Sequence, residues 1–122
     1  SWSPNGEDIA YVSFETSLPR IYTQNIATGQ RRQITNYPNI TSSPVWSPDG
    51  TRLAMVLSKD GSPDIYVQDL LNNELIRVTD HPAIDTEPAW SKDGLSILFQ
   101  IGPVSLKSTK WKWGPVLSTL NV

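Results

Sequence analysis

The residues that could support nucleophilic or acid–base chemistry in this chain are a few serines and aspartates and a single histidine, His81. A serine nucleophile requires a base within hydrogen-bonding reach and a third group that orients the base. His81 precedes Pro82 in a polar segment, so we interpret it as a solvated loop residue. The serines of the Trp-Ser-Pro phrases, such as Ser47, occupy tight turns. The sequence therefore predicts no catalytic residues.

The sequence also predicts no metal or cofactor site. Asp49, Asp60 and Asp93 each precede a glycine, so we interpret them as turn residues rather than as acid–base pairs. The chain contains no cysteine, which excludes a thiolate metal site and a disulfide framework. No glycine-rich loop opens a helix, so no phosphate-binding loop is predicted. We expect neither a cofactor nor a bound metal.

Composition excludes two further classes of partner. The 122 residues carry a formal net charge of −2, with 18% charged residues, and no basic patch that would favour nucleic acid. No apolar run approaches the roughly 20 residues of a membrane helix, so direct membrane insertion is not expected. The chain opens on Ser1-Trp2, inside a repeated phrase, and we interpret this as a truncated start. The lack of a targeting segment then says nothing about location.

Three copies of one turn sequence must position any site in this chain. Trp2-Ser3-Pro4-Asn5-Gly6, Trp46-Ser47-Pro48-Asp49-Gly50 and Trp90-Ser91-Lys92-Asp93-Gly94 place their tryptophans 44 residues apart. In the middle copy, the proline sets φ for the first central turn position, the aspartate suits the second, and the glycine relaxes the exit. Each copy is therefore expected to join two strands.

Each repeat contains four short segments rich in β-formers. In the second repeat, the first segment ends at Trp46 and the other three cover 51–58, 63–66 and 76–79. The equivalent segments of the other copies lie 44 residues away. Four strands in 44 residues is the spacing of a propeller blade, and blades stabilise each other by packing face to face. We predict an all-β partial β-propeller of about two and a half four-stranded antiparallel blades, with an antiparallel sandwich as the alternative. Trp46 and Trp90 are expected to fill the space between blades.

The repeat loses phase after Phe99. We interpret residues 1–99 as the propeller repeats and residues 100–122 as an out-of-phase, poorly ordered tail produced by a frameshift near Gln100. Codons compatible with the tail can be chosen so that a shifted frame spells a Pro-x-Ile-Tyr strand followed by a Gly-Thr-Gly turn. The alternative is a basic, aromatic arm of the kind that can bind single-stranded nucleic acid. Its residues would be Lys107, Lys110, Trp111, Lys112 and Trp113.

The Trp-Ser-Pro-Asp-Gly turn, the Ile65-Tyr66-Val67 strand and the closing Val78-Thr79-Asp80 resemble the repeat of the TolB family. Members are periplasmic propeller proteins of the Tol-Pal system, and the resemblance extends over residues 1–99. It implies a six-bladed ring preceded by a small N-terminal domain. It also implies a non-enzymatic scaffold that binds the lipoprotein Pal and other Tol-Pal components, and that supports outer-membrane integrity and cell division.

The resemblance places the Pal-binding positions in the loops just before each Pro-x-Trp strand. Ile40 stands where a polar residue is common in the family, so this loop departs from the family pattern at that position. Loops on a rigid scaffold often carry binding function. The expected partner-binding residues are Ile40, Thr41, Ser42, Ser43, Asp85, Thr86 and Glu87.

One alternative function remains open. Propellers that gate prolyl oligopeptidase-type serine hydrolases, and various periplasmic sensor propellers, carry similar Trp-Ser-Pro-Asp-Gly turns. A Gly-x-Ser-x-Gly segment further along the gene would favour the hydrolase. An incomplete ring of blades also exposes strand edges, so we expect this polypeptide alone to be marginally stable and to bind Pal weakly.

Overall fold

The structure is a computed structural model that describes residues 1–37, 41–58, 63–79, 88–101 and 110–115. Regular structure within these ranges is entirely β-strand, as the sequence predicts. The ten strands are β1 (Asp8–Ser13), β2 (Arg20–Asn25), β3 (Arg31–Gln33), β4 (Thr41–Trp46), β5 (Arg52–Leu57), β6 (Asp64–Asp69), β7 (Leu75–Arg77), β8 (Ala89–Trp90), β9 (Ser96–Ile101) and β10 (Lys110–Pro115).

The strands form three antiparallel sheets, which are the blades predicted from the 44-residue repeat. Blade 1 has the order β1-β2-β3, blade 2 has β4-β5-β6-β7, and blade 3 has β8-β9-β10. A single bridge between Trp2 and Ile9 stands where β4 and β8 stand in the other blades. All-β architecture in partial propeller form is therefore confirmed. None of the described residues lies in a helix long and apolar enough to cross a membrane.

Alternation of side chains along β5 gives blade 2 two buried faces. Leu53, Met55 and Leu57 point to one side, while Ala54 and Val56 point to the other. The first set packs with Ala10 and Ile21 of blade 1 in one core cluster. The second set packs with Ile97 and Phe99 of blade 3 in another cluster. The core is thus divided into two layers, one at each junction between blades.

The fourth strand ends earlier than predicted in the first two repeats. β3 and β7 end at Gln33 and Arg77, two residues before Thr35 and Thr79. The two threonines leave the ladder because their hydroxyls replace a backbone acceptor. Thr35 Oγ1 accepts the Ile21 N–H at 2.9 Å, and Thr79 Oγ1 accepts the Ile65 N–H at 2.8 Å.

The third strand of blade 3 comes from residues that the sequence analysis assigns to the tail. β10 pairs with β9 from Lys110 opposite Ile101 to Pro115 opposite Ser96. Main-chain hydrogen bonds need no particular side chains, so a segment can occupy this place without the Ile-Tyr pattern of the other blades. The interpretation of 100–122 as frameshifted and poorly ordered stays a prediction.

Candidate functional site: the two rims of the blade array

The three repeated turns, Trp2 to Gly6, Trp46 to Gly50 and Trp90 to Gly94, form the same pattern of hydrogen bonds at one end of the blades. In blade 2, the Gly50 N–H donates to Ser47 O at 2.9 Å, which closes the turn. Ser47 Oγ donates to Asp49 Oδ1 at 2.7 Å and accepts the Arg52 N–H at 3.0 Å. Asp49 Oδ1 also accepts the Thr51 N–H at 3.0 Å. Hydroxyl and carboxylate together bind the start of β5 to the turn.

The same bonds recur in the other two blades. Ser3 Oγ donates to Asn5 Oδ1 at 2.7 Å, and Ser91 Oγ donates to Asp93 Oδ1 at 2.6 Å. The N–H groups of Asp8 and Ser96 each donate to the serine hydroxyl of their blade at 3.0 Å. In the described residues, each of these hydroxyls donates to a side-chain oxygen of its own turn and so closes that turn. The interpretation of the Trp-Ser-Pro serines, Asp49 and Asp93 as turn residues is confirmed.

Hydrogen bonds to the turn carboxylates favour their ionised form. The Thr51 backbone N–H and the Ser47 hydroxyl lower the pKa of Asp49 to about 2. The Ser91 hydroxyl and the Leu95 backbone N–H lower the pKa of Asp93 as well. A carboxylate held ionised in this way accepts hydrogen bonds and is a poor proton donor near neutral pH.

Neighbouring turns pack on each other along this end of the array, which we call the turn rim. Gly50 has φ +75°, and a Cβ built there would stand 3.6 Å from the Pro4 ring. A Cβ on Gly94, with φ +72°, would stand 3.8 Å from Pro48. Each glycine therefore supplies the left-handed turn exit and also faces the proline of the preceding blade.

The repeated tryptophans connect successive blades, as the sequence predicts. Trp46 Nε1 donates to Ser1 O at 3.1 Å, and Trp90 Nε1 donates to Val45 O at 3.0 Å. Both bonds run back about one repeat, so the two side chains have equivalent surroundings. Trp46 is 9% exposed in the first junction, whereas Trp2 is 58% exposed.

The end of β4 opposite the turn rim, which we call the open rim, holds three of the predicted binding positions, Thr41, Ser42 and Ser43. The prediction that Thr41, Ser42 and Ser43 lie in a loop is wrong for their backbone. All three belong to β4, where Thr41 pairs with Leu57 and Ser42 pairs with Val56. The backbone hydrogen bonds available from β5 extend the strand through these polar residues.

A bulge interrupts β4 directly after these pairs. The register shifts between Ser42 and Val45, and Ser43 adopts φ +56°, which is rare for a residue with a side chain. Of the other predicted binding positions, Ile40, Asp85, Thr86 and Glu87 lie outside the described residues, as do His81 and Asp60. Their assignment remains a prediction.

Sequence reasoning missed a buried polar cluster in blade 2. The Asp64 carboxylate is 2% exposed and pairs with the Arg77 guanidinium, with 2.5 Å between Oδ2 and Nη2. Thr79 Oγ1 donates to Asp64 Oδ1 at 3.4 Å, and Arg77 Nε donates to Thr79 O at 3.0 Å. Two features of the repeat could have indicated this cluster. Threonine recurs at positions 35 and 79, and a charged residue recurs at the strand starts at positions 20 and 64.

Fold and rims together define a tandem-blade β-propeller scaffold whose turn rim is internally bonded and whose open rim can carry contacts. Comparisons with known proteins specify the family. The model of the TolB beta propeller domain matches residues 1–102, and the chain belongs to this family.

Individual relatives agree with that assignment. The Tol-Pal system protein TolB of Legionella pneumophila (strain Corby) is 54% identical over 43 residues, covering 35% of this chain and 10% of the relative. The crystal structure of TolB from Acinetobacter baumannii matches with a TM-score of 0.84 and 35% identity. That match covers 97% of this chain and 29% of the solved one, so the chain spans a minor part of these relatives.

A peptidase propeller also matches. The β-propeller domain of the Trilobed protease from Pyrococcus furiosus gives a TM-score of 0.71 at 21% identity, covering 93% of this chain and 38% of that chain. At this identity the likeness concerns the fold alone.

Proposed function

We propose that this chain is a non-enzymatic, protein-binding part of a Tol-Pal system protein. The proposal rests on membership of the TolB beta-propeller family and on relatives that are named as Tol-Pal system proteins. In this role the chain acts in the periplasm, binds the lipoprotein Pal and other Tol-Pal components, and supports outer-membrane integrity and invagination during cell division. No reaction is catalysed.

The difference between the two rims is the observation that supports a binding role for the open rim. On the turn rim, the side chains of Ser47 and Asp49 form hydrogen bonds within their own turn. Strand β4 contacts both β1 and β8, and its residues Thr41 to Ser43 lie at the end of the strand opposite the turn rim. We expect the segments that precede β4 and β8 to offer a partner one continuous surface.

The chemistry of these segments suits a protein partner. Thr41, Ser42, Ser43 and Thr86 provide hydroxyls, Asp85 and Glu87 provide carboxylates, and Ile40 provides an apolar side chain. A small apolar centre with polar groups around it is the usual composition of a protein–protein interface. The bulge at Ser43 separates the paired polar residues Thr41 and Ser42 from the apolar part of β4.

A titration of the soluble domain of Pal against the 122-residue chain tests this proposal. We expect Thr86→Ala combined with Glu87→Ala to weaken binding by about tenfold or more, because losing interface hydrogen bonds of this kind costs at least about 1.4 kcal/mol. Asp49→Asn on the turn rim is the matched control and should leave the Kd unchanged. An unchanged Kd for the Thr86→Ala, Glu87→Ala variant, or weakening by Asp49→Asn alone, would contradict binding of Pal at the open rim.

A further inference from the structure

One guanidinium group is held at the junction of blades 2 and 3. Arg52 Nη2 donates to Gly94 O at 2.8 Å, and the guanidinium lies 4.9 Å from the centre of the Trp90 ring. A Cβ built on Gly94 would stand 3.2 Å from the same nitrogen, so the group fits closely against the turn. An aromatic ring and a turn carbonyl together suit a planar, delocalised cation.

The corresponding place at the junction of blades 1 and 2 is a cavity of about 140 Å³, which we call the junction cavity. Asp8 lies 44 positions before Arg52, and its shorter side chain does not fill the space. Trp46 and Gly50 line the cavity, at the repeat positions of the ring and the carbonyl that hold Arg52. One water molecule occupies roughly 30 Å³ in the liquid, so the cavity has room for the heavy atoms of a guanidinium.

The junction cavity is bordered by an ionised carboxylate. The Thr51 backbone N–H and the Ser47 hydroxyl lower the pKa of Asp49 to about 2, and the charge of Arg52 contributes to this shift. Arg52 forms no salt bridge with Asp49 among the described residues, because its guanidinium is bound at the next junction. The negative charge of Asp49 therefore remains available to a cation in the cavity.

Asp8 supplies a second carboxylate to the same cavity. Its Oδ1 accepts a hydrogen bond from Asn25 Nδ2 at 3.3 Å, and within the described part of the chain its Oδ2 has no donor. Gly50 O likewise receives no hydrogen bond from any described residue. The cavity thus presents hydrogen-bond acceptors in the place where Arg52 presents donors at the next junction.

These features favour a guanidinium over other ligands. Two carboxylates disfavour an anion, and a ring face attracts an organic cation. A metal site is not indicated, since the described residues contain no group of three or more side chains able to ligate one. An ammonium group is more strongly hydrated and lacks the planar fork of donors that matches a carboxylate.

We propose that the junction cavity binds the guanidinium group of a ligand, in the place that Arg52 takes at the next junction. The guanidinium packs on the Trp46 ring and donates to Gly50 O and to Asp8 Oδ2, while the charge of Asp49 stabilises it further. Every residue that lines this site belongs to blade 1 or blade 2. The site lies on the turn rim and is distinct from partner binding at the open rim.

An NMR titration of the 122-residue chain with butylguanidine tests the site, with the indole N–H of Trp46 as the reporter. We expect a saturable shift and a Kd about fivefold or more below that of butylamine, which has the same charge and chain length. Asp8→Asn should weaken butylguanidine binding about fivefold or more. Asp93→Asn, the matched change at the next turn, should leave the Kd unchanged. No saturable shift, or equal binding of butylamine, would overturn the proposal.

Asp8→Arg provides a second test that does not depend on losing a contact. This variant places an arginine in blade 1 where blade 2 has Arg52, so its own guanidinium should fill the junction cavity. We expect it to lose butylguanidine binding and to have a higher Tm than the wild-type chain. A lower Tm, or butylguanidine binding equal to that of the wild type, would overturn the proposal.

The peptide acetyl-Gly-Arg-Gly-amide distinguishes two sources of the guanidinium in the same titration. A Kd similar to that of butylguanidine would assign the site to an arginine side chain of a polypeptide. Binding of butylguanidine without binding of the peptide would assign it to a small organic cation. Either result supports a guanidinium site at this junction.

Discussion

Blades 1 and 2 share a backbone plan but carry opposite charges at two matching positions. Blade 1 has Asp8 and Arg20 where blade 2 has Arg52 and Asp64. Arg20 is buried and satisfies its guanidinium with main-chain oxygens, donating to Pro19 O at 3.0 Å and Tyr37 O at 2.9 Å. Asp64 is buried at the same place and is neutralised by the Arg77 side chain.

The residue on the neighbouring strand, β3 or β7, suits the charge of the buried residue in each blade. Where Arg77 faces Asp64, blade 1 has the neutral Gln33, whose Nε2 donates to Thr35 O at 2.8 Å. Arg77 makes the same bond through Nε to Thr79 O and adds the ion pair. The repeat therefore conserves a hydrogen-bond role while the charge is set locally, because any buried charge must be compensated.

Removing the Arg77 guanidinium from blade 2 should have the largest effect on the free energy of unfolding. Arg77→Gln imports the residue of blade 1, which can keep the bond to Thr79 O but leaves the buried Asp64 carboxylate without its ion pair to Arg77. We expect a loss of about 3 kcal/mol in the free energy of unfolding, measured by urea denaturation. The matched change Gln33→Ala should cost about 1 kcal/mol. Similar losses in the two variants would remove the proposed difference between the blades.

The repeated threonines give the next largest effect and sharpen the comparison. Thr35→Val and Thr79→Val each leave a buried backbone N–H without its acceptor, which costs about 1–3 kcal/mol. Thr79→Val should lie at the upper end because its hydroxyl also donates to Asp64. Thr35→Ser and Thr79→Ser keep the hydroxyl and serve as controls in the same urea unfolding. A larger loss at Thr35 would contradict this order.

The junctions between blades differ in the same way. Arg52 Nη2 donates to Gly94 O at 2.8 Å, and its guanidinium lies 4.9 Å from the Trp90 ring. Asp8 instead borders a cavity of about 140 Å³ between the first two turns. Arg52→Ala should therefore cost about 1–2 kcal/mol, measured as a shift in Tm. Asp8→Ala should lower Tm by less. Equal Tm shifts in the two variants would show that the contacts of Arg52 with Gly94 and Trp90 do not stabilise the junction.

The smallest expected effect is a pH dependence that only some turns possess. The folded-state pKa of Asp49 lies near 2, below the unfolded value of about 4. Its stabilisation is therefore present above pH 4 and is lost as pH falls from 4 towards 2. Since the group is largely exposed, we expect under about 1 kcal/mol. Asp49→Asn reproduces the neutral Asn5 of blade 1, so the unfolding free energies of variant and wild type should converge as the pH falls below about 2. If the difference in unfolding free energy between variant and wild type did not change with pH, ionisation of Asp49 would not contribute to stability.

Much of the fold could be predicted because it depends on local chemistry. The Trp46-to-Gly50 phrase contains the proline, aspartate and glycine of its turn, and its recurrence every 44 residues indicates blades. Strand ends were predicted less well, since Thr35 and Thr79 look like strand residues until their hydroxyls are seen to cap Ile21 and Ile65.

The candidate site was predicted only in part. Hydroxyls and carboxylates before each inner strand are visible in the sequence, but Thr41 and Ser42 proved to be strand residues with a bulge at Ser43. Nothing local to Ser43 signals its positive φ, because the bulge arises from how β4 registers against β5.

The sequence by itself determined the turns, the repeat length and the strands of each blade, since these rest on residues within a few positions of one another. The tertiary structure alone decided which charges are paired and which groups meet across junctions. Asp64 and Arg77 lie 13 residues apart, and Trp90 reaches a carbonyl 45 residues away. Such partners are chosen by strand register and by the packing of one blade on the next.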